Sequence, residues 1–124
     1  MGIEKMKRKI VIFCAIASLS ISAAYAHAML ETASPRVGAR VASSPTLITL
    51  SFSERVEASL STVALKSGDG EAVELSPARS GASGHVLVAN VLRPLDPGRY
   101  RVSWSVLSAD GHSTSGDYSF TIAK

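Results

Sequence analysis

Three residues of this 124-residue chain could hold a metal ion between them if folding brought them together: His27, Asp110 and His112. His27 follows Ser22-Ala23-Ala24-Tyr25-Ala26, where a long apolar run ends in an A-x-A pattern. A cut after Ala26 makes His27 the first residue and gives it a free α-amine beside its imidazole. The unperturbed amine titrates near about 8 and the imidazole near about 6.5, so both can lose a proton around neutrality. Together they can chelate one ion through the amine and Nδ1. Asp110 and His112 stand two apart in S-A-D-G-H-S, and Gly111 lets the backbone turn so that both side chains can converge. Three nitrogens and one oxygen in a roughly square arrangement suit Cu(II), which also leads the divalent affinity order. Zinc would take the same donors as a tetrahedron. A D-x-H alone is common in surface turns, where the aspartate accepts from backbone amides, and spacing alone does not bring residues 27 and 112 together.

The third histidine, His85, follows Ser83-Gly84 at the start of an apolar run and reads as a surface or edge residue. Ser108 and Ser113 flank the D-G-H and read as turn hydrogen-bonding groups. No nucleophile–base pair, phosphate loop or paired acid and base stands out, so an enzyme is not expected.

The segment ahead of His27 carries the marks of export. Lys5, Lys7, Arg8 and Lys9 form a basic head, Ile10 to Ile21 is almost wholly apolar, and Ala24-x-Ala26 ends it. These are the three parts of a secretory signal peptide. The apolar stretch is far shorter than the roughly 20 residues that span a bilayer. Residues 1–26 are therefore expected to be a cleaved signal and residues 27–124 the exported mature domain. Four of the 13 basic residues and one of the 10 acidic ones lie in the signal, so the mature part has no formal net charge. The basic character of the whole chain thus belongs to its signal, and no basic stripe with interleaved aromatics points to nucleic acid. The single cysteine, Cys14, also leaves with the signal. The exported domain needs no disulfide and offers no thiolate.

About 100 residues make one domain that buries a little over roughly 60% of its unfolded surface. Its apolar pattern has period two. Tyr100, Val102, Trp104 and Val106 share one face of a strand, and Tyr118, Phe120 and Ile122 repeat the pattern. Leu87 and Ala89 alternate with Val86 and Val88. Val63-Ala64-Leu65, the turn Ser67-Gly68-Asp69-Gly70 and Ala72-Val73-Glu74-Leu75 read as a hairpin. Leu47 to Phe52 reads as only partly alternating, with Ile48 apart from Leu47, Leu50 and Phe52. Glu54 to Leu60 could form one helical turn, and no segment carries a helical stripe. About seven short strands with Gly/Pro punctuation predict an all-β, immunoglobulin-like Greek-key β-sandwich. Tyr100, just after the turn Leu95-Asp96-Pro97-Gly98, stands where such sandwiches place a corner tyrosine, and Trp104 is expected inside.

Over essentially the whole mature part, the sequence resembles the CopC family of exported copper-binding proteins. The resemblance is carried by His27-Ala28, S-P-R-V-G-A-R-V, L-x-F-S-E, G-x-Y-x-V-x-W and S-x-D-G-H together. It implies a Greek-key β-sandwich with one Cu(II). His27 would give amine and imidazole, Asp110 a carboxylate and His112 an imidazole. Glu54, the glutamate of F-S-E, would lie near the metal as an outer or weak axial group. Some family members carry a Met-rich loop for Cu(I), a soft ion that prefers thioether sulfur. The corresponding stretch, Lys66 to Arg79, has no methionine, so no separate Cu(I) site is expected. The resemblance implies a periplasmic carrier or buffer in copper homeostasis and resistance, which either sequesters copper or passes it to an inner-membrane copper transporter of CopD type; the protein itself is expected to be a monomer. Two other readings compete. One is a copper-dependent oxidative enzyme resembling lytic polysaccharide monooxygenases, opposed by Asp110 and by the lack of a flat aromatic face. The other is a metal-free Ig-like interaction module.

Overall fold

In the computed structural model, residues 27–124 are described, so the expected signal segment and its cleavage lie outside the described residues. Nine strands follow in chain order: β1 Leu30–Ser34, β2 Arg40–Val41, β3 Leu47–Phe52, β4 Thr62–Ser67, β5 Ala72–Val73, β6 Arg79–Ser80, β7 Val86–Asn90, β8 Gly98–Leu107 and β9 Ser113–Ile122. They form a four-stranded sheet in the order β1-β3-β7-β6 and a five-stranded sheet in the order β2-β9-β8-β4-β5. All pairs are antiparallel except the short β2–β9 pair. About seven strands were expected; β2, β5 and β6 are two-residue pieces, too short to carry a pattern. A single 3₁₀ turn at Ala58–Leu60 falls within the segment expected to form one turn.

Alternation places the core. On the five-stranded sheet Leu65, Tyr100, Val102, Val106, Tyr118, Phe120 and Ile122 point inward and are buried. The four-stranded sheet answers with Ile48, Leu50, Phe52, Leu87 and Ala89. The expected separation of Ile48 from Leu50 and Phe52 is corrected here. Side chains two apart share a face of a strand, so these three enter the core together and Leu47 stays 42% exposed. The hairpin of β4 and β5 forms as expected, with Leu65 opposite Val73 and a positive φ of 82° at Gly70 in its turn.

Tyr100 makes a tyrosine corner: its hydroxyl donates to the Asp96 carbonyl at 2.7 Å, and its ring stacks on Phe120 at 5.7 Å. Trp104 is half-buried and packs against Phe52 and Tyr118. Its ring lies across Gly116, the residue opposite it on β9, where a Cβ would come 2.5 Å from Trp104 Cζ2. A side chain at 116 would therefore displace the indole.

Tyr118 is buried and donates to the Pro35 carbonyl at 2.7 Å, and burial pushes its phenol up to about 12. A raised folded value favours the protonated ring in the native state. That contribution is complete below the unfolded value of about 10 and is lost as pH rises from there towards 12. Denaturant unfolding between pH 9 and 12 is expected to show this loss, and Tyr118→Phe to flatten it. Equal slopes for the two proteins would remove Tyr118 as the cause.

Candidate metal centre

The site lies at the end of the sandwich where β8 turns into β9. Ser108-Ala109-Asp110-Gly111-His112 makes that turn, with Gly111 at a φ of 91° that favours glycine. The turn is closed by Ser108 N–H on the His112 carbonyl at 2.8 Å and Gly111 N–H on the Ser108 carbonyl at 2.9 Å. Ser108 is buried, and its hydroxyl lies against both the Asp110 carboxylate and the His112 carbonyl. Asp110 also accepts from the His112 amide at 3.2 Å and from His112 Nδ1 at 3.1 Å. The turn hydrogen bonding expected for Ser108 and Asp110 is therefore present. The contact with the ring orients the imidazole, as a carboxylate does for a metal-binding histidine.

His27 reaches this turn from the other end of the described chain. Ala28 is 2% exposed and plugs the core between the sheets. Its carbonyl accepts from Thr114 Oγ1 on β9 at 2.8 Å. Ser53, at the end of β3, grips the neighbouring backbone: Met29 N–H donates to Ser53 Oγ at 2.9 Å, and Ser53 N–H donates to the Met29 carbonyl at 2.8 Å. Ser53 Oγ also lies 3.3 Å from the His27 carbonyl. Held from both sheets, His27 is left exposed with its ring 5.5 Å from that of His112, edge to face at 82°. With metal–nitrogen bonds of about 2.0 Å, two imidazoles sharing one ion place their centroids roughly 4.5 to 6.5 Å apart. The observed spacing falls within that range.

The structure thus brings together His27 with His112 and Asp110 with His112. Among the described residues no three of His, Cys, Asp and Glu form a ready-made metal cage. Glu54 is half-buried and follows Ser53. Its segment is tied to the turn by Ala109 N–H on the Arg55 carbonyl at 2.9 Å, but Glu54 itself makes no hydrogen bond to the other three among the described residues. His85 is half-buried at the same end, where its carbonyl accepts from the Phe52 amide at 2.9 Å. Ser53 and Thr114 are the positioning residues that sequence reasoning missed. Both adjoin motif residues, in F-S-E and D-G-H-S-T, but their hydroxyls had no distinguishing signal.

Asp110 is held down to about 2, by the Ser108 hydroxyl above all and then by the His112 side chain and amide. A depressed folded value contributes stability that is present above the unfolded value of about 3.9 and lost as pH falls towards 2. Acid unfolding of the metal-free protein is expected to be shallower for Asp110→Asn over that window. Superimposable acid curves would show that the turn does not depend on the charge.

Sequence and fold both match known proteins. A family model described as the CopC domain matches residues 30–123. Copper resistance protein C of Xanthomonas campestris pv. juglandis is 37% identical over 112 residues, covering 86% of this chain and 87% of that protein. The crystal structure of CopC from Methylosinus trichosporium OB3b is similar with a TM-score of 0.74 and 35% identity, over 78% of this chain and 94% of that one. PcoC of Escherichia coli, described as a methionine-rich copper resistance protein, has a TM-score of 0.71 and 31% identity, over 78% of this chain and 99% of that one. With matching sequence, sandwich and coverage, this chain belongs to the CopC family.

Proposed function

We propose that the mature protein is an exported, periplasmic carrier or buffer that holds one Cu(II) at the turn between β8 and β9. The observation that carries the reading is the approach of His27 and His112, which are 85 positions apart in sequence, to a ring separation of 5.5 Å. In this reading the His27 amine and imidazole and the His112 imidazole supply nitrogen. Asp110 supplies an oxygen by exchanging its contact with His112 for the ion, and otherwise orients that ring. Glu54 is an outer group at most. Copper is cargo here, and its delivery to an inner-membrane transporter of CopD type, by a monomeric carrier, completes the proposal. The absence of methionine from Lys66 to Arg79 supports a single copper position rather than a second, thioether-rich one.

Signal cleavage creates the chelate, so the test is made on the terminus. Protein beginning at His27 is expected to bind one equivalent of Cu(II), with a d–d band, on the order of tenfold or more tighter than protein carrying one extra residue ahead of His27. Equal affinities measured by competition with a chelator would sink the amine's role. Release of oligosaccharides from glycans in the presence of copper and a reductant would favour the oxidative enzyme instead.

A further inference from the structure

We infer that Met29 is a copper ligand for the cuprous state, so that the one terminal site can hold Cu(I) as well as Cu(II). This rests on the copper reading above and concerns the same ion position. The backbone clamp sets the geometry. Ala28 points into the core and is 2% exposed, while the residues on either side of it, His27 and Met29, are exposed. In extended chain, side chains two apart share a face, and two residues span at most about 7 Å. The imidazole of His27 and the thioether of Met29 therefore leave the same side of a backbone held by Ser53 and Thr114. The ring of His112 lies 5.5 Å from that of His27.

Met29 is 68% exposed, the most exposed of the large apolar side chains among the described residues. It therefore contributes little to the core, and its place next to His27 has no packing explanation. Chemically it supplies what the other donors lack. A carboxylate and an amine favour the harder cupric ion, whereas thioether sulfur with imidazole favours Cu(I). Exchange of Asp110 for Met29 would let copper change oxidation state, the electron coming from an external reductant, without leaving the two histidines.

The test uses processed protein beginning at His27. Under anaerobic conditions it is titrated with Cu(I) buffered by a chromophoric chelator, beside Met29→Leu, which keeps shape and loses sulfur. Wild type should take up one Cu(I), and X-ray absorption should show a sulfur neighbour. The variant should lose that neighbour and bind Cu(I) about tenfold or more weaker, while its Cu(II) affinity moves by less than about twofold. Equal Cu(I) affinities, a copper spectrum without sulfur in the wild type, or a parallel loss of Cu(II) affinity would each overturn the assignment. Uptake of Cu(I) by Cu(II)-saturated protein would place the cuprous ion elsewhere and overturn it as well. Wild type that binds no Cu(II) at all would instead refute the copper site on which the inference stands.

Discussion

Replacing His112 with alanine is expected to lower Cu(II) affinity by on the order of 100-fold or more, more than most partners outside the coordination sphere achieve. The substitution is clean because the turn is built from the backbone of residue 112. Its carbonyl accepts from Ser108, and its amide donates to Asp110, and both bonds survive in alanine. The imidazole beside His27 disappears, and with it one exposed contact to Asp110 at 3.1 Å. Thermal unfolding of the metal-free variant should therefore stay close to that of the wild type. Competition titration with a chromophoric chelator gives the affinity directly. A value within about threefold of the wild type would exclude His112 from the coordination sphere. A collapse of the apo fold would show instead that the ring holds the turn together.

The largest effect on stability is expected at Phe52. It is 1% exposed, lies at the end of β3, and packs edge to face against Trp104 at 6.2 Å. Phe52→Ala should cost about 3–5 kcal/mol, since a buried ring leaves a cavity that its neighbours fill only in part. Total stabilities of about 5–15 kcal/mol make this a large share. At roughly 4–8 °C per kcal/mol for a domain of this size, the unfolding midpoint should fall by about 12 °C or more. The loss should also reach copper binding. Ser53, the next residue, holds the backbone of His27 and Met29, so loosening position 52 loosens the grip on that segment. A midpoint lowered by less than about 4 °C would mean that the core closes over the gap.

The long strands were legible because their pattern repeats. Tyr100, Val102 and Val106 on β8 and Tyr118, Phe120 and Ile122 on β9 alternate through enough positions to define a face. The corner role of Tyr100 followed from its distance to the preceding turn. In β3 the error was one of parity: Leu47 is apolar but faces out, and it obscured the inward set Ile48, Leu50 and Phe52. Arg40–Val41 and Arg79–Ser80 could not be read at all, because two residues have no period and depend on their partners β9 and β7. At the site, the types of His27, Asp110 and His112 suggested metal chemistry, but their meeting depends on contacts between distant positions. Ala28 filling the core, Thr114 and Ser53 accomplish it, and serine and threonine are too common in turns and strands to be singled out. The contact of Asp110 with the His112 ring was likewise invisible in a spacing of two.

The segment from His27 to Met29 is anchored to both halves of the sandwich, through Ser53 just after β3 of the four-stranded sheet and Thr114 on β9 of the five-stranded one. An ion joining His27 to the turn would act as a cross-tie over the open end, resisting the parting of the two layers. Its reinforcement would grow with the logarithm of free copper. The protein would then be most robust when copper is abundant and easiest to unfold, and to degrade, when copper is scarce.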